Sequence, residues 1–127
     1  MRRTGQSMSE ESLRELQNRL QQFATDRDWD QFHNPKNLIM ALTGELGELA
    51  EIFQWLTAEQ ATTIMEDSLK AEHVREELAD VFGYVLRLAS ILDVDLQAAL
   101  LSKITSNEVK YPIAKSRGSA AKYTELA

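Results

Sequence analysis

Gly44-Glu45-Leu46-Gly47-Glu48-Leu49-Ala50-Glu51 decides how this chain is read. The stretch lies inside a long helical pattern that opens at Pro35 and runs to Leu56. At roughly 100° per residue, Leu38, Leu42, Leu49 and Leu56 stack on one line of that helix. Glu45 falls about 20° from the line, inside the apolar arc with Ala41 and Ile52. Glu48 sits on the edge of the arc beside Trp55, and Glu51 turns toward solvent. An ionised carboxylate on a core-facing line is costly unless a positive charge meets it.

A second acidic pair answers the first. Between Val74 and Leu92 the apolar line is Val74, Leu78, Val81, Val85 and Leu92, flanked by Glu77, Asp80 and Tyr84. Both pairs have i,i+3 spacing, so each projects two carboxylates from neighbouring turns of one helix face. In an antiparallel hairpin turning near Thr62 and Thr63, Glu48 falls level with Glu77 and Glu45 with Asp80. Four facing carboxylates repel without a cation between them, and oxygen-only ligands favour Mg²⁺ or Mn²⁺ over zinc or copper. A solvated acidic face is the commoner fate of such pairs, and Glu10, Glu11, Glu66, Glu72 and Glu76 are read that way. Two pairs beside apolar arcs, level across one hairpin, favour the metal.

The 127 residues suit one domain, able to bury roughly two-thirds of the surface of its unfolded chain. With 43% hydrophobic and 27% charged residues, the composition is that of a soluble globular protein. The absence of cysteine excludes disulfides and thiolate chemistry, and fits a cytoplasmic protein. Arg2-Arg3 precedes no apolar segment, so no signal peptide is expected, and no uninterrupted apolar span suits a membrane. A net charge of −6 argues against binding a nucleic acid polymer.

In chain order, residues 1–8 read as a disordered leader and residues 9–112 as the domain. Ser9-Glu10-Glu11-Ser12 resembles a capping start, with Leu13, Leu16, Leu20 and Phe23 as the apolar face of a helix ending near Asp26. Asp28-Trp29-Asp30-Gln31-Phe32-His33-Asn34 breaks that pattern, and Asn34 and Pro35 open the next helix as cap and first residue. The rings in this connection either plug the end of a bundle or stack on a planar ligand while polar groups read its edge. Thr57-Ala58-Glu59-Gln60 opens a short helical piece, and Glu66-Asp67-Ser68 caps a long helix reaching about Leu92. Asp95 caps a last helix, with Leu96, Ala99, Leu100 and Ile104 on its apolar face, ending by Lys110. Pro112 stops it, and residues 113–127 wrap or extend as an arm. The expectation is an all-α four-helix bundle with short connections. A ferritin-like di-iron site needs Glu-x-x-His, and neither His33 nor His73 follows a Glu by three. The five glycines form no phosphate-cradling run.

With these motifs placed, the chain resembles the MazG-like all-α nucleoside triphosphate pyrophosphohydrolases, whose signature is ExxE followed downstream by ExxD. Here these are Glu45-Leu46-Gly47-Glu48 and Glu77-Leu78-Ala79-Asp80. Within the superfamily it is most similar to the dCTP pyrophosphatase group. That similarity runs through Arg27 to His33, Gly44 to Trp55, Ser102-Lys103, Asn107, Lys110-Tyr111-Pro112, Ser116-Arg117-Gly118-Ser119 and Lys122-Tyr123-Thr124. The resemblance implies hydrolysis of a nucleoside triphosphate to monophosphate and pyrophosphate, with Mg²⁺ on Glu45, Glu48, Glu77 and Asp80. It implies that Trp29, Asp30, Gln31, Phe32, His33, Trp55 and Tyr84 surround the nucleoside. Lys103, Asn107, Lys110, Tyr111 and Arg117 are expected at the phosphate tail, and Glu48 as acceptor of a proton from the attacking water. It further implies a homotetramer of two dimers, with pocket residues from more than one chain. The segment between Leu56 and Ser68 is shorter than in some animal members of the group. Two competing functions are a catalytically silent bundle that binds nucleotide or protein, and a purely structural oligomerising bundle. The first leaves four intact acidic positions without a purpose, and the second leaves core-side carboxylates unexplained.

Overall fold

The computed structural model describes residues 10–126, so the expected leader and the Ser9 cap lie outside the described residues. Every regular element among the described residues is a helix, with no strand among them. Contacts divide the chain into two compact units, Met1–Asp93 and Val94–Ala127. The sequence-based boundary between domain and arm, at 112/113, falls inside the second unit.

The first unit holds α1 (Glu10–Asp26), α2 (Pro35–Phe53), the short α3 (Ala58–Thr62) and α4 (Ser68–Leu92). Side-chain caps set most of these boundaries. Asn34 accepts the amide of Asn37 and Pro35 is the first residue of α2. Thr57 and Gln60 form a reciprocal capping box at the start of α3. Asp67 accepts the amides of Leu69 and Lys70 to open α4. α2 ends at Phe53, three residues before the expected Leu56, because Thr57 must already be extended (φ −70°, ψ 162°) to cap α3. α4 stops at Asp93, which adopts the left-handed conformation (φ 55°, ψ 45°) and returns its amide to Ala89 and Ser90.

α4 is the axis of this unit. α2 packs along it as the main helix pair, and α1 packs on it separately. The core consists of Ala24, Leu38, Ile64, Ala71, Val74, Leu86 and Ala89, four of them from α4. The apolar line expected on α4 needs correction. Val74 is buried, but Leu78 and Leu92 are 51% and 50% exposed, while Glu77 is only 7% exposed. The stripe that α2 covers runs through Ala71, Val74 and Glu77, one position away from Leu78. Further along, Leu86 and Ala89 are buried and Gln17 of α1 donates to the Leu86 carbonyl at 3.2 Å. No described helix is long and apolar enough to cross a membrane.

The second unit is built on α5 (Leu96–Lys110), capped by Asp95 on the amide of Ala98. Of its expected apolar face, Leu96 is half-buried and Ala99, Leu100 and Ile104 are exposed in the single chain. Pro112 ends the helix as expected. The chain then makes a one-turn α6 (Ile113–Ser116) and reverses at Gly118, whose φ of +75° favours glycine. It folds back so that Tyr123 meets Tyr111 edge-on at 6.1 Å, under the Lys110 ammonium at 5.1 Å.

Candidate active site

Glu45 and Glu48 project from α2 and Glu77 from α4, with one carboxylate oxygen of each lying within 4.8 Å of the others. The pairing differs from the level one read off the sequence. Glu77 interacts with both Glu45 and Glu48. Asp80, one turn further along α4, stands outside the trio and reaches it only as a charge. Glu45 is half-buried, Glu48 exposed and Glu77 buried.

Three acids this close cannot all ionise cheaply. The hydrogen bond to Glu77, partial burial and the charge of Glu48 push the Glu45 carboxyl up to about 7. Burial raises Glu77 as well. Glu45 Oε2 and Glu77 Oε2 are buried acceptors with no hydrogen-bond donor. His73 Nε2, one turn back on α4, is 3.5 Å from Glu77 Oε1. An all-carboxylate donor set, with two buried oxygens that have no hydrogen-bond partner, fits a hard divalent cation of the Mg²⁺ or Mn²⁺ type.

Beside the acids lies a cavity of about 240 Å³ within the first unit, walled by Trp29, His33, Asp80 and Tyr84 among others. Its volume is below the roughly 300–1,000 Å³ of sites that enclose drug-sized ligands, and suits a single base better than a whole nucleotide. Trp29 is held edge-on by Phe23 at 5.7 Å and by His33 at 6.2 Å. The turn carrying it is built locally. Asp28 takes a left-handed φ of 57°, and Gln31 Nε2 donates to the Asp28 carbonyl and carboxylate.

Not every expected residue reaches this cavity. Gln31 is spent on its own turn, Phe32 is exposed, and Trp55 is 86% exposed in the turn that follows α2. None of the three lines the cavity. Asp30 serves the loop instead. Gln21 and Thr25 donate to its carboxylate and Arg87 completes the set at 2.6 Å, which together lower its pKa. Lys103, Asn107 and Lys110 share one face of α5 in the second unit, followed by the Tyr111 cap and by exposed Arg117.

Arg87 is the residue that the sequence reading missed. It is 4% exposed and lines the cavity. Its guanidinium donates from Nη1 to Gln21 Oε1 at 2.5 Å, from Nη2 to Asp30 and from Nε to His33 Nδ1 at 3.1 Å. Burial and the facing guanidinium both lower the pKa of His33. The available signal was one cation inside the apolar run Tyr84-Val85-Leu86-Arg87-Leu88-Ala89, a place where a charge is kept only with partners.

Comparison with known proteins points to one family. Residues 41–126 match the MazG-like family. The chain is 46% identical over 118 residues to dCTP pyrophosphatase 1 of Rattus norvegicus, covering 92% of this chain and 69% of the relative. It is 44% identical over 118 residues to dCTP pyrophosphatase 1 of Bos taurus, covering 93% and 70%. A crystal structure of a pyrophosphatase from Archaeoglobus fulgidus superposes with a TM-score of 0.74 at 36% identity, covering 79% of this chain and 92% of that one. With its paired acidic helices, and on matches of this extent, the chain belongs to the MazG-like family.

Proposed function

We propose that the protein is a Mg²⁺-dependent nucleoside triphosphate pyrophosphohydrolase acting on dCTP and related deoxynucleotides, a nucleotide-pool house-cleaning enzyme of the cytoplasm. One observation carries the reading. Three carboxylates that repel one another, two with buried oxygens lacking donors, lie next to a base-sized aromatic cavity. The likeness to proteins named dCTP pyrophosphatase 1 supports the choice of nucleotide.

Glu45, Glu48 and Glu77 would hold the metal, with Asp80 as a fourth ligand between the acids and the cavity. A bound Mg²⁺ supplies charge neutralisation at the triphosphate and a lower pKa for the attacking water. The residues of the chain do the rest. Trp29 stacks on the base, and His33 and Tyr84 border it. Exposed Glu48 accepts the proton of the water. Lys103 and Lys110, with Asn107, Tyr111 and Arg117, contributed by another chain of the assembly, take the β and γ phosphates, where the leaving group gains charge. Water oxygen bonds to α-phosphorus as the bond to the bridging oxygen breaks, giving monophosphate and pyrophosphate.

The many exposed apolar side chains of α2, α4 and α5 are more than a lone domain usually leaves open. They support a homotetramer of four-helix bundles, in which Trp55 and the α5 cations complete sites across chains.

The test is pyrophosphate release across the common nucleotides with Mg²⁺, followed by turnover in ¹⁸O-water. The label should enter the monophosphate alone. Label in pyrophosphate means attack at β, and orthophosphate release means attack at γ. Either result overturns both the reaction and the roles of the lysines.

A further inference from the structure

Arg87 has a consequence for what the cavity can recognise. Guanidinium has five N–H donors and no acceptor, so the 3.1 Å contact from Nε to His33 Nδ1 requires Nδ1 to be the unprotonated nitrogen. The proton of the neutral ring must then sit on Nε2. No described group bonds Nε2, and His33 lines the cavity. Arg87 cannot swing away without breaking its bonds to Gln21 and Asp30, which are themselves tied through Gln21 Nε2 to Asp30 at 2.9 Å. The ring is also braced edge-on by Trp29.

We infer that Arg87 is a positioning residue that locks His33 as the Nε2–H tautomer, making this wall of the cavity a hydrogen-bond donor matched to a pyrimidine whose ring nitrogen N3 accepts. Cytosine presents a bare N3, whereas uracil and thymine present N3–H there, which sets donor against donor. Two buried donors facing each other leave both unpaired, a penalty that discriminates more strongly than the shape of an apolar wall. This rests on the cavity being the nucleoside site of the proposed enzyme.

The tautomer can be read directly by long-range ¹⁵N–¹H correlation on the intact protein. Only two histidines are present, so a His73→Gln variant assigns the signals. His33 should show a protonated Nε2 and a bare Nδ1. A proton on Nδ1, or on both nitrogens, at neutral pH overturns the inference. Arg87→Lys keeps the charge but loses the planar fork, and Arg87→Met serves as a second variant.

The ratio of kcat/KM for dCTP to that for dUTP should fall roughly tenfold or more in Arg87→Lys, about the worth of one hydrogen bond. The fall should come through KM for dCTP with kcat retained. An unchanged ratio, or parallel loss for both nucleotides, makes Arg87 merely structural and overturns the inference. Failure of the wild-type protein to cleave any nucleotide sinks the function and the base-reading role together. The wrong tautomer in an active enzyme sinks this inference alone.

Discussion

Glu45→Gln should stabilise the metal-free protein while abolishing turnover. The Glu45 carboxyl is pushed from 4.5 up to about 7, chiefly by its hydrogen bond with Glu77 and by burial. At about 1.4 kcal/mol per tenfold change in proton affinity, ionising it in the fold costs about 3 kcal/mol more than in the unfolded chain. Solvent screening at a half-buried site trims this to about 1–2 kcal/mol. The folded state binds more protons than the unfolded one between pH 4.5 and 7, so this contribution is fully present below 4.5 and is lost as pH rises through 7. Glutamine carries no charge and its amide can donate to Glu77. Thermal melts of both proteins in EDTA should therefore coincide near pH 4.5 and separate above it. By pH 8 the variant should melt about 3–8 °C higher. With Mg²⁺ in place of EDTA the wild-type protein should recover the gap, because a ligand bound only by the fold stabilises it. A variant that melts below wild type in EDTA at pH 8, or a gap that ignores pH, would show that the trio is structural and refute the reasoning.

Four other outcomes follow from the same structure. Trp29→Ala should weaken dCTP binding by roughly 1–3 kcal/mol and leave inhibition by pyrophosphate unchanged, and equal loss of both would reduce Trp29 to packing. Trp55 lies outside the cavity of a single chain, so Trp55→Ala should impair dCTP binding only in the assembled oligomer. Light scattering at micromolar concentration should report that oligomer, and a fully active monomer would end the shared-site idea. Leu86→Ala, at the fully buried centre of α4, should cost about 2–5 kcal/mol in urea melts with metal affinity unchanged.

The sequence exposed those features that are local. Asn34, Asp67 and Asp95 cap the helices they were expected to cap, since a cap needs only its own next three residues. The acidic pairs were visible because i,i+3 spacing on one helix is fixed by the backbone. What interdigitates between helices was not visible. Counting residues around a turn put Glu45 level with Asp80, whereas Glu77 meets both Glu45 and Glu48. For the same reason Leu78 was assigned to the core instead of Glu77. Leucine has the stronger apolar claim, but the line that α2 covers follows Ala71 and Val74. The bonds of Arg87 to Gln21, Asp30 and His33 join residues more than fifty positions apart. No spacing rule within a helix reaches that far.

Under the proposed function, the place of Glu77 on the covered stripe of α4 sets selection for folding against selection for turnover. Ala71 and Val74 precede it on that stripe, so a leucine or methionine there would complete an apolar seam and remove a buried charge. A library of variants sorted only for heat resistance should therefore enrich such replacements at position 77, and each of them would be dead. Survival of the acid in any lineage, natural or evolved in the laboratory, is then a record of continuing demand for the reaction.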